Sequence, residues 1–148
     1  MSGSVEAGRG PLLLVDTHVL LWHFEGYGTL GIRSRALIGK SAAESSLLIS
    51  AITPWEIGLL VSKGRLKLSS DVMQWVNEVL AKPGVRLAPL EPEIAVASTR
   101  LPFEMHADPA DRILVATARK LGATLVTADT ALLGFAKQGY FLGMDAGV

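Results

Sequence analysis

The sequence, 148 residues long, contains no cysteine. Disulfide bonds, thiolate zinc sites and a thiol nucleophile are therefore excluded, and the chain suits a reducing cytosol. Charge is also scarce. Asp, Glu, Lys and Arg make up 19% of the chain, against about 25% in an ordinary globular domain. With 14 basic and 14 acidic residues, neither sign dominates, which argues against a uniformly basic nucleic-acid binder or an acidic tail protein. Long apolar runs are missing too: the run from Pro11 to Val15 stops at Asp16, far short of the ~20 residues a membrane-spanning helix needs. No membrane association is expected, and the expected location is the cytoplasm. Residues 1–10 carry Glu6 and Arg9 and have no apolar centre, unlike a secretory signal. They are expected to be a disordered N-terminus, with residues 11–148 forming one domain. Hydrophobic residues reach 49%, which together with so few charges implies that another chain covers part of the surface.

Short apolar runs alternate with helical patterns. Leu12–Val15, Leu47–Ser50, Val85–Leu87 and Thr124–Thr127 read as buried strands, and Tyr140–Leu142 as a last edge strand. Between them the patterns predict helices over His18–Phe24, Ser34–Ala43, Pro54–Ser62, Asp71–Leu80, Pro92–Arg100, Pro109–Leu121 and Thr130–Lys137. Three of these open on proline, at the first helical position, where the missing N–H costs nothing. This alternation predicts an α/β fold with a mostly parallel central sheet flanked by helices.

In an open parallel sheet, ligands bind beyond the carboxyl ends of the strands. Acidic residues recur at that edge. Asp16 follows the first strand, Glu56 lies shortly after the second, Asp129 follows Thr127, and Asp108 and Asp111 open the helix leading into Thr124–Thr127. Most have an ordinary local explanation: Thr53-x-x-Glu56 is a capping box, Asp108 and Asp129 are helix caps, and Asp111 favours the positive end of its helix. Asp16 is harder to explain, because a carboxylate ending a buried strand needs a partner or a metal. Carboxylates within reach of one another repel, and a hard divalent cation such as Mg2+ or Mn2+ relieves that penalty while binding a phosphate. Setting aside Asp16, Glu56, Asp111 and Asp129 leaves 10 acidic against 14 basic residues, a mildly basic remainder suited to a polyanionic substrate.

The segments Leu12-Leu13-Leu14-Val15-Asp16-Thr17-His18-Val19-Leu20-Leu21-Trp22, Ile49-Ser50-Ala51-Ile52-Thr53-Pro54-Trp55-Glu56-Ile57, His106-Ala107-Asp108-Pro109-Ala110-Asp111-Arg112-Ile113-Leu114 and Leu125-Val126-Thr127-Ala128-Asp129 resemble the four motifs of PIN-domain ribonucleases, in family order. The likeness is to the VapC-type toxins of bacterial toxin–antitoxin pairs. It implies a three-layer PIN-like fold and a metal-dependent endoribonuclease, usually dimeric, held inactive by a cognate antitoxin. Carried over by position, it assigns Asp16, Glu56, Asp111 and Asp129 to catalysis and to binding Mg2+ (or Mn2+). Thr17 and Thr127 become supporting hydroxyls and Asp108 a helix cap with a supporting role. Ala110 departs from the family, where an aromatic residue is common between the two acids.

Other signals carry less. Gly26-Tyr27-Gly28-Thr29-Leu30-Gly31 has the spacing of a dinucleotide-binding loop, but no strand precedes it directly and no acid ends the next strand. It reads as a loop between two helices. Gly39-Lys40-Ser41 lacks the leading glycine of a phosphate-binding loop. His18 and His106 lie near acids, where a histidine either helps bind metal or phosphate or, as is expected here, serves packing or hydrogen bonding. Lys63, Arg65 and Lys67 form a short basic run that is either a solvated face or a grip on RNA phosphates. Trp22 and Trp55 are expected in the core and Trp75 at a partner contact. Two other readings are a receiver-like module with a Mg2+-binding acidic pocket and a catalytically inactive, partner-binding domain. The first lacks a second acid beside Asp16 and an Asp after Val85–Leu90, and the second is disfavoured by the presence of all four acids.

Overall fold

The computed structural model describes residues 11–26 and 28–148. The leader expected over residues 1–10 lies outside them, as does Tyr27. Twelve elements follow in the order β1 (Leu13–Val15), α1 (Thr17–Glu25), α2 (Ile32–Ala43), β2 (Leu47–Ser50), α3 (Ile52–Ser62), α4 (Val72–Leu80), β3 (Val85–Ala88), α5 (Pro92–Thr99), α6 (Pro109–Leu121), β4 (Thr124–Thr127), α7 (Thr130–Lys137) and β5 (Leu142–Asp145). The strands form one sheet in the order β3-β2-β1-β4-β5. Each neighbouring pair among the described strands is parallel, so the expected mostly parallel sheet is parallel throughout.

Residue parity builds the three layers, because successive strand side chains point to opposite faces. Leu13, Val15, Leu47, Ile49 and Val126 join a core with Val19, Ile38, Ile57 and Val76 from α1 to α4. Leu14, Leu48 and Leu125 enter a second core with Leu114, Val115 and Leu132 from α6 and α7. Both faces are therefore covered, as a parallel sheet requires. The α1–α2 connection contains the glycine-rich segment, so that segment is an inter-helix loop and no dinucleotide site.

Several boundaries differ from expectation for identifiable reasons. The α3 helix starts at Ile52, capped by Ala51 without a side-chain bond, so Pro54 is its third residue and not its first. Proline is tolerated there because the first turn needs no N–H donors. Asp71 caps α4 from outside, accepting from the backbone N–H groups of Met73 and Gln74. The last strand begins at Leu142 rather than Tyr140. Tyr140 is still turning, its N–H bonded to the Phe135 carbonyl, and its ring stacks on Phe103. Two tryptophans depart from expectation: Trp75 is buried, with its indole N–H donating to Glu25 (3.0 Å), and Trp55 is half exposed. Trp22 packs against the core as expected.

Gly84 leads into β3 with φ of 80°, and a Cβ there would meet the Ala42 carbonyl oxygen at 1.6 Å. Gly39 sits exposed inside α2 with open space at the Cβ position. Gly84→Ala is expected to cost roughly 2 kcal/mol or more, from the left-handed backbone and the clash. Gly39→Ala is expected to stabilise by up to about 1 kcal/mol through helix propensity. Thermal or urea unfolding of the two variants checks both signs.

Candidate active site

The strand order 3-2-1-4-5 places the topological switch between β1 and β4, where chains leave the sheet in opposite directions and open a crevice. Asp16 ends β1 at that point. It stands at the N-cap position of α1 but makes no capping bond. Its buried carboxylate instead accepts a hydrogen bond from the Thr127 hydroxyl at the end of β4 (2.7 Å). Thr127 Oγ1 in turn accepts from the Asp129 backbone N–H (3.1 Å), and Asp129 caps α7 through the Leu132 N–H (3.0 Å). One threonine thus ties two of the acids to one strand end.

Glu56 reaches the same place from α3. The expected capping box does not form, because α3 starts earlier and Thr53 is already inside its first turn. The Glu56 carboxylate accepts from the Thr17 hydroxyl (2.5 Å), and Thr53 Oγ1 lies 3.4 Å from that of Thr17. The α3 helix is apolar on several sides, with Ile57 in one core and Ile52 against the other. It therefore straddles the carboxyl edge of the sheet and carries Glu56 over it.

Asp111 arrives on the first turn of α6, and Asp108 caps that helix through the Asp111 N–H (3.0 Å). The Asp111 carboxylate pairs with His106 Nε2 (2.8 Å). Sequence reasoning gave His106 a hydrogen-bonding role without its partner. It missed Arg112 altogether, whose guanidinium donates to the backbone carbonyls of Ser98 (2.8 Å), Met105 (2.9 Å) and His106 (3.3 Å). Arg112 thereby clamps the segment before α6 and sets where His106 and Asp108 stand. An arginine in the first turn of a helix, where the dipole disfavours it, was the available signal.

The acids interact electrostatically. Burial raises the pKa of Asp16 above the usual carboxylate value, and neighbouring Asp129 adds to the rise against the Thr127 hydrogen bond. Glu56 is raised chiefly by burial, with Asp16 and Asp108 contributing. Asp111 is pushed up to about 6 by burial first, opposed by its bond to His106 and reinforced by Asp16, Asp108 and Asp129. In this conformation no three described acidic or histidine side chains close around a single point as a complete metal cage would. Mg2+ and Mn2+ do not need one, since they bind through one or two carboxylates and retain water. Glu56, Asp111 and Asp129 each leave one carboxylate oxygen without a protein partner among the described residues. Hard oxygen donors with free lone pairs and mutual repulsion fit such a cation.

A groove of about 270 Å³ runs from this cluster, lined by Trp55, Glu56, Lys63, Arg65, Asp108 and Ala110 among others. Lys63 and Arg65 thus line the same groove as Glu56 and Asp108. Lys67 does not: it lines a separate depression with Arg65, Ser70 and Asp71. Lys63 caps the end of α3, Gly64 turns back with φ of 71°, and the Arg65 N–H bonds to the Leu60 carbonyl (2.9 Å). This glycine-dependent helix ending folds Arg65 back beside Lys63.

A parallel α/β sheet whose switch-point crevice gathers acids from four segments defines the class of fold. Residues 13–138 match the PIN domain family, and the chain belongs to it. Among its relatives, ribonuclease VapC22 of Mycobacterium tuberculosis is 30% identical over 120 residues, covering 81% of this chain and 88% of that one. The fold is shared with VapBC2 from Rickettsia felis, solved bound to a DNA fragment from its promoter (TM-score 0.66, 16% identity, 90% of this chain and 97% of that chain). It is shared also with FitAcB from Neisseria gonorrhoeae (TM-score 0.61, 20% identity, 91% and 98%). Among the described residues no helix is long and apolar enough to cross a membrane.

An acid with a raised pKa in the folded state binds its proton more tightly there, so it stabilises at low pH and loses that contribution as pH rises through the folded value. For Asp111 the loss falls between about pH 4, the unfolded value, and about 6. Asp111→Asn is therefore expected to match the parent below about pH 4 and to be more stable above about pH 6, by on the order of 1–3 kcal/mol. Chemical denaturation in chelator across that range checks it; a constant difference at all pH values would contradict the assignment.

Proposed function

We propose that this protein is a metal-dependent endoribonuclease, the toxin of a toxin–antitoxin pair, that hydrolyses RNA phosphodiester bonds and is neutralised by a cognate antitoxin. One observation carries the reading: Asp16, Glu56, Asp111 and Asp129, from four separate segments, crowd the carboxyl edge of the sheet with burial and mutual repulsion raising three of their pKa values. A site that costs stability in this way is explained by the work it does. The ribonuclease relative supports the same reading.

In this proposal Asp16, Glu56, Asp111 and Asp129 hold Mg2+ or Mn2+, which supplies a water of lowered pKa and neutralises charge developing on the phosphate. The chain's own groups do the positioning. Thr127 fixes Asp16 and Asp129 to the end of β4, and Thr17 fixes Glu56. His106 holds one oxygen of Asp111, leaving the other free to bind the cation. Asp108 orients Asp111 through its backbone. Lys63 and Arg65 attract the phosphates of the strand; Lys67 lines the neighbouring depression instead. The exposed Ile32, Met73, Val96 and Leu142 supply apolar surface for the antitoxin and for a second copy of the chain.

Cleavage of unstructured RNA is expected with Mg2+ or Mn2+ and lost with chelator; full activity after metal removal would overturn the mechanism. Asp16→Asn is expected to lower the rate by several orders of magnitude and to raise the melting temperature without metal, by relieving buried charge. Asp108→Asn should retain most activity. Sedimentation or light scattering is expected to show a homodimer, the commonest closed assembly, and a monomer at high micromolar concentration would count against it.

A further inference from the structure

Trp55 is half exposed, at 50%, although a side chain of this size and apolarity is normally well covered. It precedes Glu56 on α3 and lines the same groove as Glu56, Lys63 and Arg65. Glu56 and Lys63 are two turns apart on one side of α3, about 10 Å along its axis. Lys63 and Arg65 are both exposed, and neither has an ion-pair or side-chain hydrogen-bond partner among the described residues. From the acidic centre outward, the groove therefore presents an aromatic face and two unpaired cations.

We propose that Trp55 is a base-stacking platform for single-stranded RNA, holding a base next to the phosphate at the acidic centre while Lys63 and Arg65 hold phosphates further along α3. The inference rests on the nuclease reading and adds a residue that selects the substrate. An aromatic face beside a basic track is how single strands are bound, because every base has a π-face and every linkage a negative charge. An apolar protein segment in this groove would desolvate Glu56, Lys63 and Arg65 without pairing them. The tryptophan also sits where stacking matters most, one residue from a carboxylate of the acidic cluster.

The test compares the full-length parent with Trp55→Phe, Trp55→Leu and the double variant Lys63→Ala/Arg65→Ala. Each is assayed with Mg2+ or Mn2+ for cleavage of a mixed-sequence, unstructured RNA and for inhibition by an abasic ribose–phosphate strand of the same length. Trp55→Leu keeps apolar bulk without a π-face. It is expected to raise KM on the order of 10-fold or more with kcat unchanged, and to leave inhibition by the abasic strand as it was. Trp55→Phe should restore most of the affinity. The double variant should weaken both ligands and reduce the salt dependence of both. Trp55→Leu having no effect, or weakening the abasic strand equally, would overturn the stacking role. So would its breaking a dimer that the parent forms, which would make Trp55 a subunit contact. If the parent cleaves no RNA under either metal, the nuclease reading itself falls. If it cleaves while Trp55→Leu behaves as the parent, only this inference falls.

Discussion

The rest of the site depends on the junction between β1 and β4, where a buried carboxylate and a threonine hydroxyl meet. Asp16 and Thr127 are 111 residues apart in sequence, and their 2.7 Å bond exists only because β1 and β4 pair in parallel register. That pairing ends both strands at one edge, where Asp16 and Asp129 follow their strands and are joined by Glu56 and Asp111 from the neighbouring helices. Burial then sets the electrostatics. Asp16, Asp108 and Asp129 occupy N-cap positions of α1, α6 and α7, so the positive ends of three helices face the cluster. Each helix end is worth about 0.3–1 kcal/mol. Raising Asp111 from 3.8 to about 6 corresponds to on the order of 3 kcal/mol, so for Asp111 desolvation and repulsion outweigh a helix end.

The protein tolerates this cost because the layers beneath are well filled. Leu14, Leu48 and Leu125 are fully buried on one face of the sheet, and Val15, Ile49 and Val126 are nearly so on the other. Fully burying side chains of this kind is worth roughly 1.5–3 kcal/mol each, so a few core residues offset the penalty of a crowded acidic edge. The hydroxyls of Thr17 and Thr127 limit it further by giving two of the acids a fixed donor. Rigid strands below and short hydrogen bonds above hold the carboxylates in place while their free oxygens remain available.

The α3 helix links this centre to the surface. It lies across the sheet edge and not along one face, so one side carries Glu56 to the acids and its end carries Lys63 toward solvent. Gly64 is what returns Arg65 to that end, since a left-handed residue is needed to reverse the chain there. Acid, aromatic ring and cations therefore follow one another along a single groove, built from residues between Trp55 and Arg65 on one side and the start of α6 on the other.

The order of strands and helices was legible in the sequence because short apolar runs and helical periods alternate cleanly, and the seven helices and first four strands among the described residues occur where those patterns lie. The acids were legible as well, each standing at the end of a strand or the start of a helix, as was the capping of α6 by Asp108. Edges were less so. The residues of β5, Leu-Gly-Met-Asp, have no strand pattern of their own and become a strand only by pairing with β4. Facing along α3 was not legible either. That helix is apolar around much of its circumference, so periodicity could not tell that Trp55 turns outward or that Glu56 leaves a capping box to meet Thr17. By itself the sequence determined the elements and which residue types stand at their ends, because those follow from local periodicity and capping. Only the tertiary structure decided which ends converge, which carboxylates share Thr17, Thr127 and His106, and which of Lys63, Arg65 and Lys67 reach the groove, because each of these depends on contacts between segments brought together by the pairing of β1 with β4 and the tilt of α3 across them.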